Sequence, residues 1–195
     1  MENEKPLNEQ ESLRIIHEMI ASAKNDVKAD AFIFLLWGWL VFFASIAQFI
    51  LVKMNIEHSE MVWLLMPLGA IITTVYSIRK NKMEKTKTHV SEFLKYTWIA
   101  FAVAMVVIMF FNSMNIQMLP TIMTLYGIGL FISGGALKFT PLIIGGIFCW
   151  ICAIAAFEVP NTYQLYQLII LSLAVLGGYI IPGYLIKINN KTKNV

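Results

Sequence analysis

A chain of 195 residues in which 58% are hydrophobic and only 14% charged, with a mean hydropathy of +0.68, is far more apolar than a soluble domain, where about a quarter of the residues carry charge. That composition excludes an ordinary soluble fold and points to a membrane protein. The formal net charge of +3 is too small to imply a nucleic-acid partner, and the order of the basic residues follows membrane topology instead.

Residues 1–30 are mostly polar. Within them LNEQESLRIIHEMIASAKNDVKAD reads as an amphipathic helix. Asn8 followed by Glu11 resembles a capping box, and Leu13, Ile16, Ile20, Ala23 and Val27 recur at alternating spacings of three and four, which places them in one apolar stripe. The stripe needs a surface, and lipid headgroups, the cytoplasmic mouth of the bundle and a second copy of the chain are the candidates. The segment is therefore expected to dock as a cytoplasmic helix in its own right, with Leu13, Ile16 and Ile20 among its contacts. His17 and Glu18 open like the zinc-protease pattern H-E-x-x-H, but the fifth position is Ala21, which removes the second ligand.

Six apolar runs follow, at 31–52, 61–78, 96–111, 118–137, 141–157 and 165–186, with a tail at 188–195. Each is long enough to cross a hydrocarbon layer about 30 Å thick as a helix, and in lipid a helix satisfies its backbone internally. The first run is about twice as long as a signal-peptide core and is expected to stay in the mature protein. Of the fifteen Lys and Arg, fourteen fall in the N-terminal segment, the second and fourth connections and the tail, and Lys53 alone falls on the other side. The positive-inside rule then puts both termini in the cytoplasm. The second connection concentrates Arg79, Lys80, Lys82, Lys85 and Lys87, an expected contact for anionic headgroups or a partner. Trp63 and Tyr163 are expected at the outer interface, Tyr96 and Trp98 at the inner one.

GLFISGGALK at 129–138 aligns with GYIIPGYLIK at 178–187, pairing Gly129 with Gly178, Gly134 with Gly183 and Lys138 with Lys187, while MNI occurs at 54–56 and again at 114–116. The spans read either as three helical hairpins of parallel topology or as chance matches in a restricted alphabet. Gly129, Gly134, Gly178 and Gly183 are expected where helix backbones approach, as small residues do in lipid. Pro182 is expected to interrupt one hydrogen bond of the sixth helix and bend it.

Candidate chemistry is sparse. Cys149 and Cys152 share a helix face in the fifth run, but with no second cysteine pair to relay electrons or complete a zinc site they read as small packing residues. No Asp, Glu, Lys, Arg or His lies inside the six runs, which disfavours ion- and proton-coupled pumps. Glu57, His58 and Glu60 lie close in sequence and with Glu158 form a weak candidate for a divalent ion, while Met54, Met61, Met114 and Met118 suit Cu(I); a solvated loop and apolar filling are the preferred readings. No cofactor is signalled, and neither a phosphate-binding loop nor a nucleophile elbow is present.

LLWGWLVFFASIAQF in the first run, LYGIGLFISGGALKFTPLIIGGIFCWICAI through the fourth and fifth, and YIIPGYLIK at the end resemble a group of small six-helix bacterial inner-membrane proteins. The resemblance covers nearly the full chain and implies location and architecture, with no catalytic residue. The expected function is that of a non-enzymatic accessory or regulatory membrane component, working through lipid, a second copy or another membrane protein. The alternative is a small-solute channel or transporter acting as a homo-oligomer, with Thr73, Thr74, Tyr126, Ser133, Gln167 and Tyr184 lining its path.

Overall fold

The computed structural model describes the backbone of residues 9–83, 89–111 and 117–192, and among these the regular structure is all helical. In chain order the elements are α1 (Glu9–Lys53), a 3-10 turn (Ser59–Leu64), α2 (Leu65–Met83), α3 (His89–Phe111), α4 (Met118–Ala136), α5 (Thr140–Phe157), a second 3-10 turn (Asn161–Tyr166), α6 (Gln167–Val175), a π turn (Leu176–Ile180) and α7 (Ile181–Thr192). Six stretches are long and apolar enough to cross a membrane: Ala31–Lys53, Ser59–Lys80, Glu92–Phe110, Met118–Ala136, Thr140–Phe157 and Asn161–Asn189.

α1 differs from expectation. The N-terminal amphipathic segment and the first apolar run form one unbroken helix, because between Glu9 and Lys53 the chain has no proline and a single glycine, Gly38. Once nucleated, such a stretch gains a hydrogen bond for each residue added. At 45 residues the helix is about 68 Å long, well over the thickness of a hydrocarbon layer. Leu13 is exposed; the side chains of Ile16, Ile20, Ala23 and Val27 lie outside the described residues.

Two helix ends close in the same way. After α1, Ile56 N–H donates to Leu51 O and Asn55 N–H to Val52 O, each at 3.0 Å, with Asn55 at φ 54°. After α4, Phe139 N–H donates to Gly134 O at 2.9 Å and Lys138 N–H to Gly135 O at 3.2 Å, with Lys138 at φ 51°. These are Schellman caps, which place one residue in the left-handed region and normally use glycine there. Lys138 carries a Cβ into that conformation at a cost of about 1–2 kcal/mol. Lys138→Gly is therefore expected to raise the thermal midpoint of the purified protein in detergent, and a lowered midpoint would count against this account of the turn.

α4 and α5 form the closest helix pair. A Cβ placed on Gly146 would lie 2.8 Å from Gly127 O, and one on Gly127 would lie 2.9 Å from Gly146 O and run into the Trp150 indole. Backbone meets backbone there, the contact that small residues permit in lipid. α1 packs along α6, the π turn and α7, with Gly38 facing Tyr179 and Ile180 and Gly183 facing Leu35. α2 leans on α1, where Leu40 fills the space over Gly69 and Trp37 Nε1–H donates to Thr73 Oγ1 at 3.1 Å. α3 lies along α4 through Leu94, Trp98, Phe101 and Met105.

The helices do not group as three sequential hairpins. The closest pair, α4 and α5, straddles the second and third expected units, and α1 packs more extensively on α6 and α7 than on α2. Nor do the aligned residues share a backbone state, since Lys138 has positive φ while Lys187 lies inside α7. Matches among glycine and aliphatic residues are cheap in apolar sequence.

Candidate functional site

Pro182 has no N–H to donate, and its ring crowds the carbonyl four residues back, that of Gly178. The helix widens at that point into the π turn, where Ile181 N–H donates to Leu176 O. Single π turns concentrate at functional sites. The Gly178 carbonyl, which Pro182 cannot serve, lies 2.9 Å from the position a Cβ on Gly145 would take, so the α5 backbone covers it. A Cβ on Gly178 would itself run into Cys149 Sγ and Leu130 Cδ1.

Tyr179, the next residue, is buried in a group of rings drawn from four helices. Its ring centroid is 5.3 Å from that of Tyr126, 6.0 Å from Phe34 and 6.5 Å from Trp98. Phe101 stacks on Tyr126 at 5.6 Å and meets Trp98 edge to face at 5.2 Å. Trp98, expected near the inner interface, packs against this core, and a Cβ placed on Gly129 would meet its ring at the ordinary contact distances of 3.5 and 3.7 Å. Gly129, expected at a close backbone approach, faces rings with room for a methyl, whereas a Cβ on Gly134 would lie 2.7 Å from the Ile143 amide nitrogen, so backbone meets backbone there.

The group contains an unusual polar element. Tyr179 Oη is enclosed and has no hydrogen-bond partner among the described residues, and the same holds for Ser133 Oγ in α4. A buried hydroxyl left unpaired costs about 1–3 kcal/mol. No described residue accepts from the indole N–H of Trp98 or of Trp39, and neither is among the buried unpaired groups, whereas those of Trp37, Trp63 and Trp150 are all taken.

A second polar cluster is hydrogen-bonded. At the start of α6, buried Gln167 donates from Nε2 to Gln117 Oε1 and to Ala156 O, both at 3.0 Å, tying α6 to the entry of α4 and the end of α5. Nearby Trp63 Nε1–H donates to Gln48 Oε1 at 2.7 Å, and the Lys53 ammonium lies 5.4 Å from the Tyr166 ring centroid and 5.9 Å from that of Phe49. This arrangement fastens helices and offers no open coordination.

This chain matches no family model, no curated protein and no solved structure.

The remaining sequence candidates disperse. Cys149 donates its S–H to Ala174 O at 3.4 Å, and both it and Cys152 are free and buried. Neither thiol is expected to react with maleimide in intact membranes, and both should react after denaturation in dodecyl sulfate. Cys149→Ser, which keeps the donor, should leave the thermal midpoint nearly unchanged; a disulfide found between the two would contradict the packing role. Of the loop residues, Glu57, His58 and Glu60 are exposed, with His58 Nδ1 3.4 Å from Glu60 Oε1. Among the described residues no three His, Cys, Asp or Glu side chains converge on one point. Arg79 is exposed at the end of α2 and Lys80 half-buried; the side chain of Lys82, together with Lys85, Lys87 and Met114, lies outside the described residues.

The six groups expected along a solute path of a homo-oligomer do not converge within one chain. Thr74 and Tyr184 are exposed, Thr73 is held between α1 and α2, and Tyr126, Ser133 and Gln167 are buried at separate points. An open groove of about 430 Å³ on α1, bounded by Phe32, Leu36, Trp39, Phe43 and Leu65, is apolar and outward-facing. Sequence reasoning missed Gly127, whose partner Gly146 is distant along the chain, and the Tyr179 hydroxyl. The signal for the latter was present: Gly177-Gly178-Tyr179 sets a phenol beside two glycines, one turn before a proline.

Proposed function

We propose that this chain is a non-enzymatic accessory or regulatory component of a bacterial inner membrane, with both termini and the basic connections in the cytoplasm, working through helix contacts with other membrane proteins. The observation that supports this reading is the uneven use of the six spans. Only 6% of the Ser59–Lys80 and of the Glu92–Phe110 windows is buried, against 50% of Met118–Ala136 and 56% of Asn161–Asn189. A core of α1, α4, α5, α6 and α7 thus carries two helices whose apolar surface, including Ile71, Val75, Val106 and Phe110, is open to lipid or to another helix. The basic cluster Arg79–Lys87 suits anionic headgroups at the same end.

Photo-crosslinkers placed at Val75 and Val106 in native membranes test the reading. Discrete protein adducts from those faces, and none from a crosslinker at buried Leu130, are expected; adducts to lipid alone would remove it. Reporter fusions at Lys193 are expected to read cytoplasmic and those at His58 external, and one reproducible inversion would break the orientation.

A further inference from the structure

We propose that the junction of Tyr179, Tyr126 and Trp98 binds an uncharged, ring-bearing carbonyl compound dissolved in the bilayer, the chemical class of the isoprenoid quinones, admitted by sideways displacement of α3. Tyr179 Oη is fully enclosed and unpartnered among the described residues, and Trp98, in edge-to-face contact with the same ring, has an indole N–H that is not buried and that no described residue accepts. An indole N–H donates only and a phenol donates readily, so the complementary group is an acceptor oxygen. The six apolar runs carry no charged side chain, so nothing there would neutralise an ionised ligand, which makes the ligand neutral. The rings of Phe34, Trp98 and Tyr126 lie around the phenol at spacings typical of aromatic pairs, with Phe101 stacked behind on Tyr126, which favours a planar molecule.

The route follows from how α3 is held. Its attachment is the single stripe Leu94, Trp98, Phe101 and Met105, with no interhelical hydrogen bond from these side chains and no glycine in the helix. In lipid there is no hydrophobic force to press such a helix home. Over Gly129 even an added Cβ would meet the Trp98 and Phe101 rings only at ordinary contact distance, so no close backbone approach locks α3 to α4 there, and its movement has to separate only the ring contacts with Tyr126, Tyr179 and Phe34. The site stands independently of any partner protein.

The test uses the full chain in phosphatidylcholine nanodiscs, titrated with decylubiquinone as the probe and read by tryptophan fluorescence. Saturable quenching is expected, with the saturable part lost in Trp98→Phe and its midpoint raised about tenfold by Tyr179→Phe, the loss of one hydrogen bond worth about 1.4 kcal/mol. Met105→Ala, one turn beyond the rings, should speed the approach to the plateau. Quenching that rises linearly with probe per lipid and is the same in wild type and Tyr179→Phe would overturn the proposal. Thermal unfolding without probe gives a second readout. Tyr179→Phe should be at least as stable as wild type; a less stable variant would mean that the hydroxyl is already paired, for example with a buried water, and would overturn the proposal too.

Discussion

Gly146→Val is expected to open the bundle at its tightest seam. The Cβ of any residue at 146 would sit 2.8 Å from Gly127 O and 2.9 Å from the Phe131 amide nitrogen, and both are backbone atoms that cannot rotate away. Inserting volume into a packed interior costs about 1–3 kcal/mol where side chains can adjust, and here the adjustment has to be a separation of α4 from α5. That separation also strands the Trp150 N–H, which now donates to Thr124 O at 3.2 Å. The expected result is a thermal midpoint lowered by ten degrees or more in detergent, with loss of a monodisperse peak. Gly135→Ala is the control: nothing lies within 4 Å of a Cβ there, so the better helix former should be neutral or stabilising by up to about 1 kcal/mol. Equal losses from both variants would show that helix flexibility, not close approach, is what the glycines supply.

Leu130→Ala should be the costliest of the simple truncations, at about 2–5 kcal/mol. Leu130 is completely buried, and its Cδ1 fills the space over Gly178 at the π turn. Leu173 is half exposed on the outer face of α6, and Leu173→Ala there lets acyl chains occupy the vacated volume. The comparison separates two effects that coincide in a soluble protein. Both leucines leave water on insertion, so the transfer term is common to both, and the difference between the two variants reports dispersion and cavity terms alone. Unfolding in mixed micelles with increasing dodecyl sulfate measures it, and comparable losses at 130 and 173 would count against a well-packed interior.

Most of the span assignment was legible because it depends on one-dimensional quantities. The charge-free runs at 118–137 and 141–157 match Met118–Ala136 and Thr140–Phe157 within a residue, since hydrocarbon thickness and the charge of Lys138 between them leave little freedom. Packing was less legible. Gly127 and Gly146 meet across two helices, and no periodicity in either segment announces the pairing. For Trp98, sequence gives depth along the helix but not the direction of the side chain around it; Leu94, Trp98, Phe101 and Met105, at spacings of four, three and four, show in retrospect that it lies on the inward stripe. The continuity of α1 was open to inspection too, as nothing between residues 9 and 38 breaks a helix. The orphan hydroxyl of Tyr179 was beyond reach, because pairing is a property of neighbours from other helices.

The adjacency of α1 with α6 and α7 also governs how the molecule assembles during synthesis. The buried stripe of α1 that includes Phe34, Gly38 and Val41 faces residues that leave the ribosome some 140 positions later, with Gly38 awaiting Tyr179 and Ile180. Until then that stripe has only acyl chains, α2 or an insertion factor beside it, and α3 has yet to receive the floor that Tyr179 and α4 provide. The α4–α5 pair, joined by a three-residue turn, is the first large interface the nascent chain is able to complete. Closure of the bundle is then the work of the last helix to arrive, so a chain stopped before Gly177 would hold five correctly inserted spans with no common centre and present its aromatic residues to quality-control proteases.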